Sequence, residues 1–530
     1  MADQTLSFLE FTEFNLKGVL LESFETTTAE FNDRHSYLID YLSNSEVGAK
    51  SILIEHEYVD GDFLDDYAHY YVKCKKPYSR FCKRASFFKD VNATELEAQF
   101  ASYLAGKADA DEMISALGEK YLGFTIIKPL PTTVIGKTSI VPYRNSKVRG
   151  EDETGQRSIR CLRPYTATIL GIPFKVESLA YIEQDRVIAA CATSALWSAF
   201  QKTAYEFGYR IPTLYQITDL ATMYSTTNRP IPSSGLEDPQ ICQAIKGIGL
   251  EPEYLEILDP ARNYKNLLLA NSYAYLRSGL PVIFLVLVTG MGGHAITVTG
   301  YQLREKGQIF NEVELANLKL PKGFKLKGSR IEAFYSHDDQ IGPFCKDMVE
   351  LAHEIRDEGG AQVVKCFPQL VGTWKDGQKQ NIPLVPDVMV VPVYHKIRVP
   401  FSTVLKHAGR MDGILKAHYP GIDIEWDIFL SSVNAYKNEM SRRHDVPTDI
   451  RKILLESSHP RFIWRLRAFS SDIEVMEILA DATDMELSFQ VYRVSIFDTT
   501  LREFMVENKA ALISYRQNDY FAKLLLELIW

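Results

Sequence analysis

The chain has 530 residues, a formal net charge of −9, and 46% hydrophobic and 24% charged residues. That length exceeds a single hydrophobic core and predicts two to four domains of ordinary globular composition. The acidic balance argues against a general nucleic-acid or acidic-membrane binder while leaving room for a local basic patch, and no apolar run is long enough to span a membrane. The start, MADQTLSFLEF, lacks the basic head and apolar core of a secretory signal. Cysteines stand at 74, 82, 161, 191, 242, 345 and 366, odd in number and with no CxxC. Such a set fits reduced thiols of a cytoplasmic protein and offers no structural zinc site. No cofactor and no metal are expected.

Residues 1–145 read as a mixed α/β domain. Ser51 to Tyr58 has strand character, Asp60-Gly61 forms a turn and cap, and Phe63 to Cys74 reads as a helix. Phe63, Tyr67, Tyr70 and Tyr71 share one side of it, a stripe better explained by packing than by a ligand. Thr94 and Glu97 fit a capping box for a helix over 94–105. Residues 121–131 and 134–141 read as paired strands. Gly136-Lys-Thr138 is not a phosphate loop, because the first glycine of GxxxxGK[ST] is missing and no helix follows. The hydrophilic run Asn145 to Ser158 then marks a linker.

Residues 160–348 carry the chemistry. Tyr165 to Leu179 alternates as strands. From Cys191 on, Ala192, Ala195, Leu196, Ala199, Phe200, Ala204 and Phe207 recur as one buried helical face, and Gly208 stops the helix. A sulfur in that first turn meets unpaired N–H groups and the positive end of the helix dipole, which favour a thiolate. Helices are expected at 213–224, 238–247 and 261–278, with a proline-rich loop over 230–239. Residues 281–288 read as a buried strand, 289–293 as a glycine-rich turn, and 294–301 as the returning strand opened by His294. A polar, lysine-bearing insert at 304–330 reads as an extended hairpin or lid. Ile331 to Tyr335 is a short strand running into Ser336-His-Asp-Asp339.

Residues 362–530 read as a second mixed α/β domain, with strands at 387–396, 459–468, 487–497 and 510–515. Helices are expected at 402–417, 426–442 and 472–481. Arg461, Arg465 and Arg467 read as a solvated sheet face, with phosphates or a partner's carboxylates as the sharper alternative. His56, His69, His337, His395 and His459 lack ligand spacing and read as structural.

A thiolate needs a base, an orienting group and oxyanion donors. His294 at a sheet end can serve as base, and Asp338 or Asp339 can fix its tautomer. Gln184, seven residues before Cys191, can add an amide N–H to the Cys191 backbone N–H as an oxyanion hole. In that order the residues resemble the papain-like cysteine peptidases, most closely the bacteriocin-processing (double-glycine leader) peptidases, over residues 165–345. The resemblance implies an α+β fold with a Cys-bearing helix packed on an antiparallel sheet carrying His and Asp. Cys191 would be nucleophile, His294 base, Asp338 the orienting acid with Asp339 as its alternative, and Gln184 the oxyanion donor. Ala-Thr after Cys191, and Asp338-Asp339 where Asp-Pro is usual, depart from the family pattern. The expected activity is a cysteine-dependent peptidase or isopeptidase acting on a peptide or protein substrate, with protein partners at the outer domains. The alternatives are a transglutaminase-like acyltransferase, an inactive papain-like binding protein, and a toxin or defence effector.

Overall fold

The computed structural model describes residues 5–529 apart from 22–32, 131–133, 144–153, 186–189, 224–234, 258–266, 289–291, 307–319, 359–360, 373–382, 420, 485–489 and 516–517. Most of the expected linker at 145–158, the turn at 289–291 and the centre of the 304–330 insert therefore lie outside the described residues. So do parts of the 230–239 loop and of the stretches expected as a helix at 261–278 and a strand at 487–497.

The N-terminal part is an antiparallel sheet of five strands in sequence order: β1 (Leu6–Glu10), β2 (Ala49–Tyr58), β3 (Cys82–Lys89), β4 (Tyr121–Ile127) and β5 (Ile135–Ile140). Its helices are α1 (Glu13–Leu21), α2 (Asp33–Ser43), α3 (Gly61–His69), α4 (Ala93–Leu104) and α5 (Ala110–Leu117). Successive residues of β2 serve different cores, Ile52 and Ile54 joining one apolar cluster and Leu53 the other, as a period of two requires. The capping box of α4 is Asn92 with Glu95, two residues earlier than expected. Asparagine is at least as good a cap as threonine, and it precedes Ala93, a better first helical residue.

The next segment runs through β6 (Arg157–Ile159), β7 (Arg163–Ile169), β8 (Ile172–Ser178), α6 (Cys191–Phe207), α7 (Leu214–Thr222) and α8 (Asp238–Gly247). It continues with β9 (Leu250–Glu256), α9 (Leu268–Leu276), β10 (Val282–Val288), β11 (Gly292–Leu303) and β12 (Lys325–Leu326). Then come β13 (Ile331–Asp338), β14 (Gly342–Glu358), β15 (Ala361–Gly372) and β16 (Leu384–Tyr394). The central sheet runs β10-β11-β13-β14-β15-β16-β9, with β6 added on β11. Because β16 also pairs with β10, its neighbours form a closed circuit, which leaves fewer open edges. The stretch expected to separate two domains, 348–362, is occupied by the β14–β15 hairpin. The strand expected at 387–396 as part of the last domain is β16, and it belongs to the central sheet.

Beyond it lie α10 (Phe401–His418), β17 (Glu425–Ser432), α11 (Val433–Arg442), α12 (Thr448–Glu456), β18 (Phe462–Ser470), β19 (Ile473–Asp481) and β20 (Val491–Ile496). The helices α13 (Thr499–Glu507), α14 (Lys509–Tyr515) and α15 (Tyr520–Glu527) end the chain. The last sheet has the order β12-β17-β18-β19-β20, so the central insert lends it an edge strand. Three expectations fail here. The helix expected over 426–442 is strand β17 followed by α11, that over 472–481 is strand β19, and the strand at 510–515 lies in α14. Both misread strands are buried on two faces: Trp426 to Leu430 and Val475 to Ala480 are buried throughout. Burial on both faces erases the alternation that marks a strand and leaves spacings that mimic a helix. Arg465 and Arg467 are not on a solvated face. They are buried, with Arg465 Nε donating to Glu477 at 2.6 Å and its Nη1 to Glu439 at 2.6 Å, while Arg467 pairs with Glu474.

The site strand β11 meets β6 closely at Gly300. A Cβ there would stand 2.5 Å from the Ser158 carbonyl oxygen and 2.8 Å from the Ile159 Cα. Gly300→Ala is expected to cost about 1–3 kcal/mol of stability, read from the denaturant midpoint. Gly293→Ala, on the same strand with open space around it, should stay within about 0.5 kcal/mol.

Candidate functional site: a buried imidazole between two carboxylates

Helix α6 begins without a side-chain cap. Ala190 occupies the cap position, and its carbonyl accepts from the Ser194 N–H at 3.1 Å. Twelve of the helix residues are buried, and Gly208, in the left-handed region at φ 76°, closes it without the strain a Cβ would bring. The helix lies on β11, where the Thr297 hydroxyl donates to the Ala195 carbonyl at 2.7 Å. This contact fixes the head of α6 over the strand that carries His294.

The segment before α6 is clamped to the N-terminal sheet. Tyr181 bridges Thr138, the Ile135 N–H donates to the Glu183 carboxylate at 3.1 Å, and the Tyr71 hydroxyl donates to Asp185 at 2.9 Å. Gln184 lies half-buried in this segment, and among the described residues no hydrogen bond joins its side chain to Cys191 or His294.

Antiparallel pairing of Thr297 with His337 carries the end of β13 back toward His294. His294 Nε2 donates to Asp338 Oδ1 at 3.0 Å and lies 3.7 Å from Asp339 Oδ1. Asp338 Oδ1 also accepts from the Gln340 N–H at 2.9 Å, which holds the carboxylate in place. All three side chains are buried. Burial by itself would push the imidazole pKa down. The Asp338 charge and hydrogen bond, with smaller contributions from Cys191 and Asp339, outweigh it and hold the pKa well above the ordinary value. Its surroundings therefore favour the protonated, imidazolium form of the ring.

These distances correct the expected Cys191–His294–Asp338 triad. Among the described residues, the side chains whose ligating atoms converge within 4.8 Å of one another are His294, Asp338 and Asp339, and no cysteine is in that group. Cys191 stands half-buried at the head of α6, yet His294 Nδ1 is buried without a hydrogen bond of regular geometry. The physical reason is the doubled acid. The two consecutive carboxylates at the β13 turn both converge on Nε2, making an acid–base cluster instead of a chain of nucleophile, base and acid. The α+β class stands, while the cysteine peptidase or hydrolase assignment, with its acyltransferase and inactive papain-like variants, is withdrawn.

The chain matches no family model and has no significant similarity to a curated protein. Among the described residues no helix is long and apolar enough to cross a membrane.

Asp347, absent from the expected site, and His337, expected to be structural, complete the site's surroundings. Asp347 on β14 is buried and accepts from the Ser336 hydroxyl at 2.6 Å. Burial, with the Asp338 charge, pushes its carboxyl up to about 7. The available signal was strand alternation, since Ser336 and Asp338 are two apart on β13 and share a face. His337 points the other way, with Nε2 donating to the Leu179 carbonyl at 3.0 Å and Nδ1 accepting from the Phe344 N–H at 3.1 Å. Burial lowers its pKa to about 4, so it is neutral and structural, as its lack of ligand spacing suggested.

Because the folded His294 pKa lies above its unfolded value of about 6.5, its stabilising contribution is fully present below that value. The contribution is lost as pH rises through the folded pKa. Asp338→Asn should bring the His294 pKa down in an NMR titration of the ring and flatten the fall in stability as pH rises above about 6.5. Cys191→Ala should lower the same pKa by less.

Proposed function

We propose that this cluster is a buried acid–base site, in which the His294 imidazolium presents a proton from Nδ1 to an anionic group held at the N-terminal end of α6. The observation that supports it is the division of labour on the ring. Nε2 is committed to Asp338 with Asp339 behind it, which leaves Nδ1 as the nitrogen free of a regular hydrogen bond. A helix of seventeen residues with no side-chain cap among the described residues adds its first-turn N–H groups and the positive end of its dipole. Imidazolium and helix terminus together favour negative charge at one place, the setting in which a general acid is effective. Asp338 fixes the tautomer, Asp339 adds a second negative charge that keeps the proton on the ring, and Asp347 shapes the charge around Asp338.

A divalent cation is the second reading, favoured by the convergence of His294, Asp338 and Asp339 within 4.8 Å, a spacing that nitrogen and carboxylate ligands to one ion can adopt. The two readings differ in what occupies Nε2, a proton or a metal. Ring nitrogen NMR at neutral pH separates them. The acid–base reading expects both ring nitrogens protonated, a downfield shift of the Nδ1 proton on titration with formate, loss of that response in His294→Gln, and no change with zinc. A neutral ring, or one blind to the anion, would sink it. Zinc-dependent loss of the Nε2 proton would move the conclusion to the metal.

A further inference from the structure

Between Asp66 and Asp90 the chain has no acidic residue, although the protein as a whole carries a net charge of −9. Within that stretch, Lys73, Lys75, Lys76 and Arg80 are all exposed, and among the described residues none of the four is in an ion pair. Apolar groups are interleaved with them: Val72 is 53% and Phe81 38% exposed, and Tyr78 is half-buried. Exposed aliphatic and aromatic carbon threaded through unpaired cations, on an otherwise acidic protein, differs from an ordinary solvated face, in which both signs are mixed.

We infer that residues 72–81 form a docking strip for an acidic, partly apolar peptide segment of a protein partner. Charge complementarity selects an anionic partner. The aromatic groups select peptide over nucleic acid. Lys76 Nζ lies 5.7 Å over the Tyr78 ring and the Arg80 guanidinium 5.0 Å over the Phe81 ring, so each ring face nearest the cations is already occupied and offers no stacking platform for a base. The overall negative field also opposes a long polyphosphate, whereas a short peptide needs only the local cations. The strip begins one residue after Tyr71, whose hydroxyl holds Asp185 in the segment that leads into α6. A partner bound there lies beside that segment.

The test uses the full chain and a fluorescein-labelled peptide of glutamates interspersed with leucine, read by fluorescence anisotropy. Its glutamine counterpart and a labelled oligo-thymidine serve as comparison probes. The acidic peptide is expected to bind, more weakly as salt rises, and the glutamine peptide not to bind. The combined variant Lys73→Gln, Lys75→Gln, Lys76→Gln and Arg80→Gln, checked for unchanged circular dichroism, should weaken binding by about tenfold. Absence of binding to the acidic peptide, binding unchanged in the variant, or tighter strip-dependent binding of oligo-thymidine would each overturn the assignment. If the four changes together disturb the fold, Lys75→Gln with Lys76→Gln alone should still give a measurable part of the loss, and no loss in that pair would also overturn it.

Discussion

A charged imidazole cannot be buried in protein interior without a counter-charge, because burial strips away the water that stabilised it. The site depends on meeting that requirement at His294. Asp338 supplies the counter-charge through a 3.0 Å hydrogen bond and Asp339 reinforces it from 3.7 Å. Asp338 is kept in place by the Gln340 N–H, and the strand that ends at Asp338 is held on one side by β11 and on the other by β14.

The same logic recurs farther along the chain at larger scale. Arg465 and Arg467 are buried among Glu439, Glu474 and Glu477, and Arg443 joins through Glu474. Such a network contributes little net stability relative to an apolar core of the same shape. Breaking one member strands another, so its charges specify how α11 lies on β18 and β19. The site differs in adding a helix N-terminus: among the described residues α6 has no side-chain cap.

Much of the candidate site was legible locally. The apolar recurrence after Cys191 marked α6, the buried run before the glycines marked β10, and His294 and Asp338 were placed on the right strands, because each of these signals depends on residues a few positions apart. What was not legible depended on long-range pairing. Alternation groups Ser336 with Asp338 on one face of β13, but that Asp347 will meet them is settled only once β14 has folded back on β13. The convergence of both acids on one nitrogen depends on the exit angle of a turn, and it changed a nucleophile-centred reading into an acid–base one. Two-face burial likewise hid β17 and β19, where every residue is apolar or paired and no alternation remains.

The return of β16 to lie beside β10 has a consequence for how the molecule is made. About a hundred residues separate those two strands in the chain, so during synthesis β10 emerges long before its neighbour. Until Tyr394 has left the ribosome the circuit of strands stays open, with β10 an apolar edge seeking any strand that will pair with it. The nascent protein thus passes through an interval in which a largely apolar strand of its central sheet is its most adhesive surface.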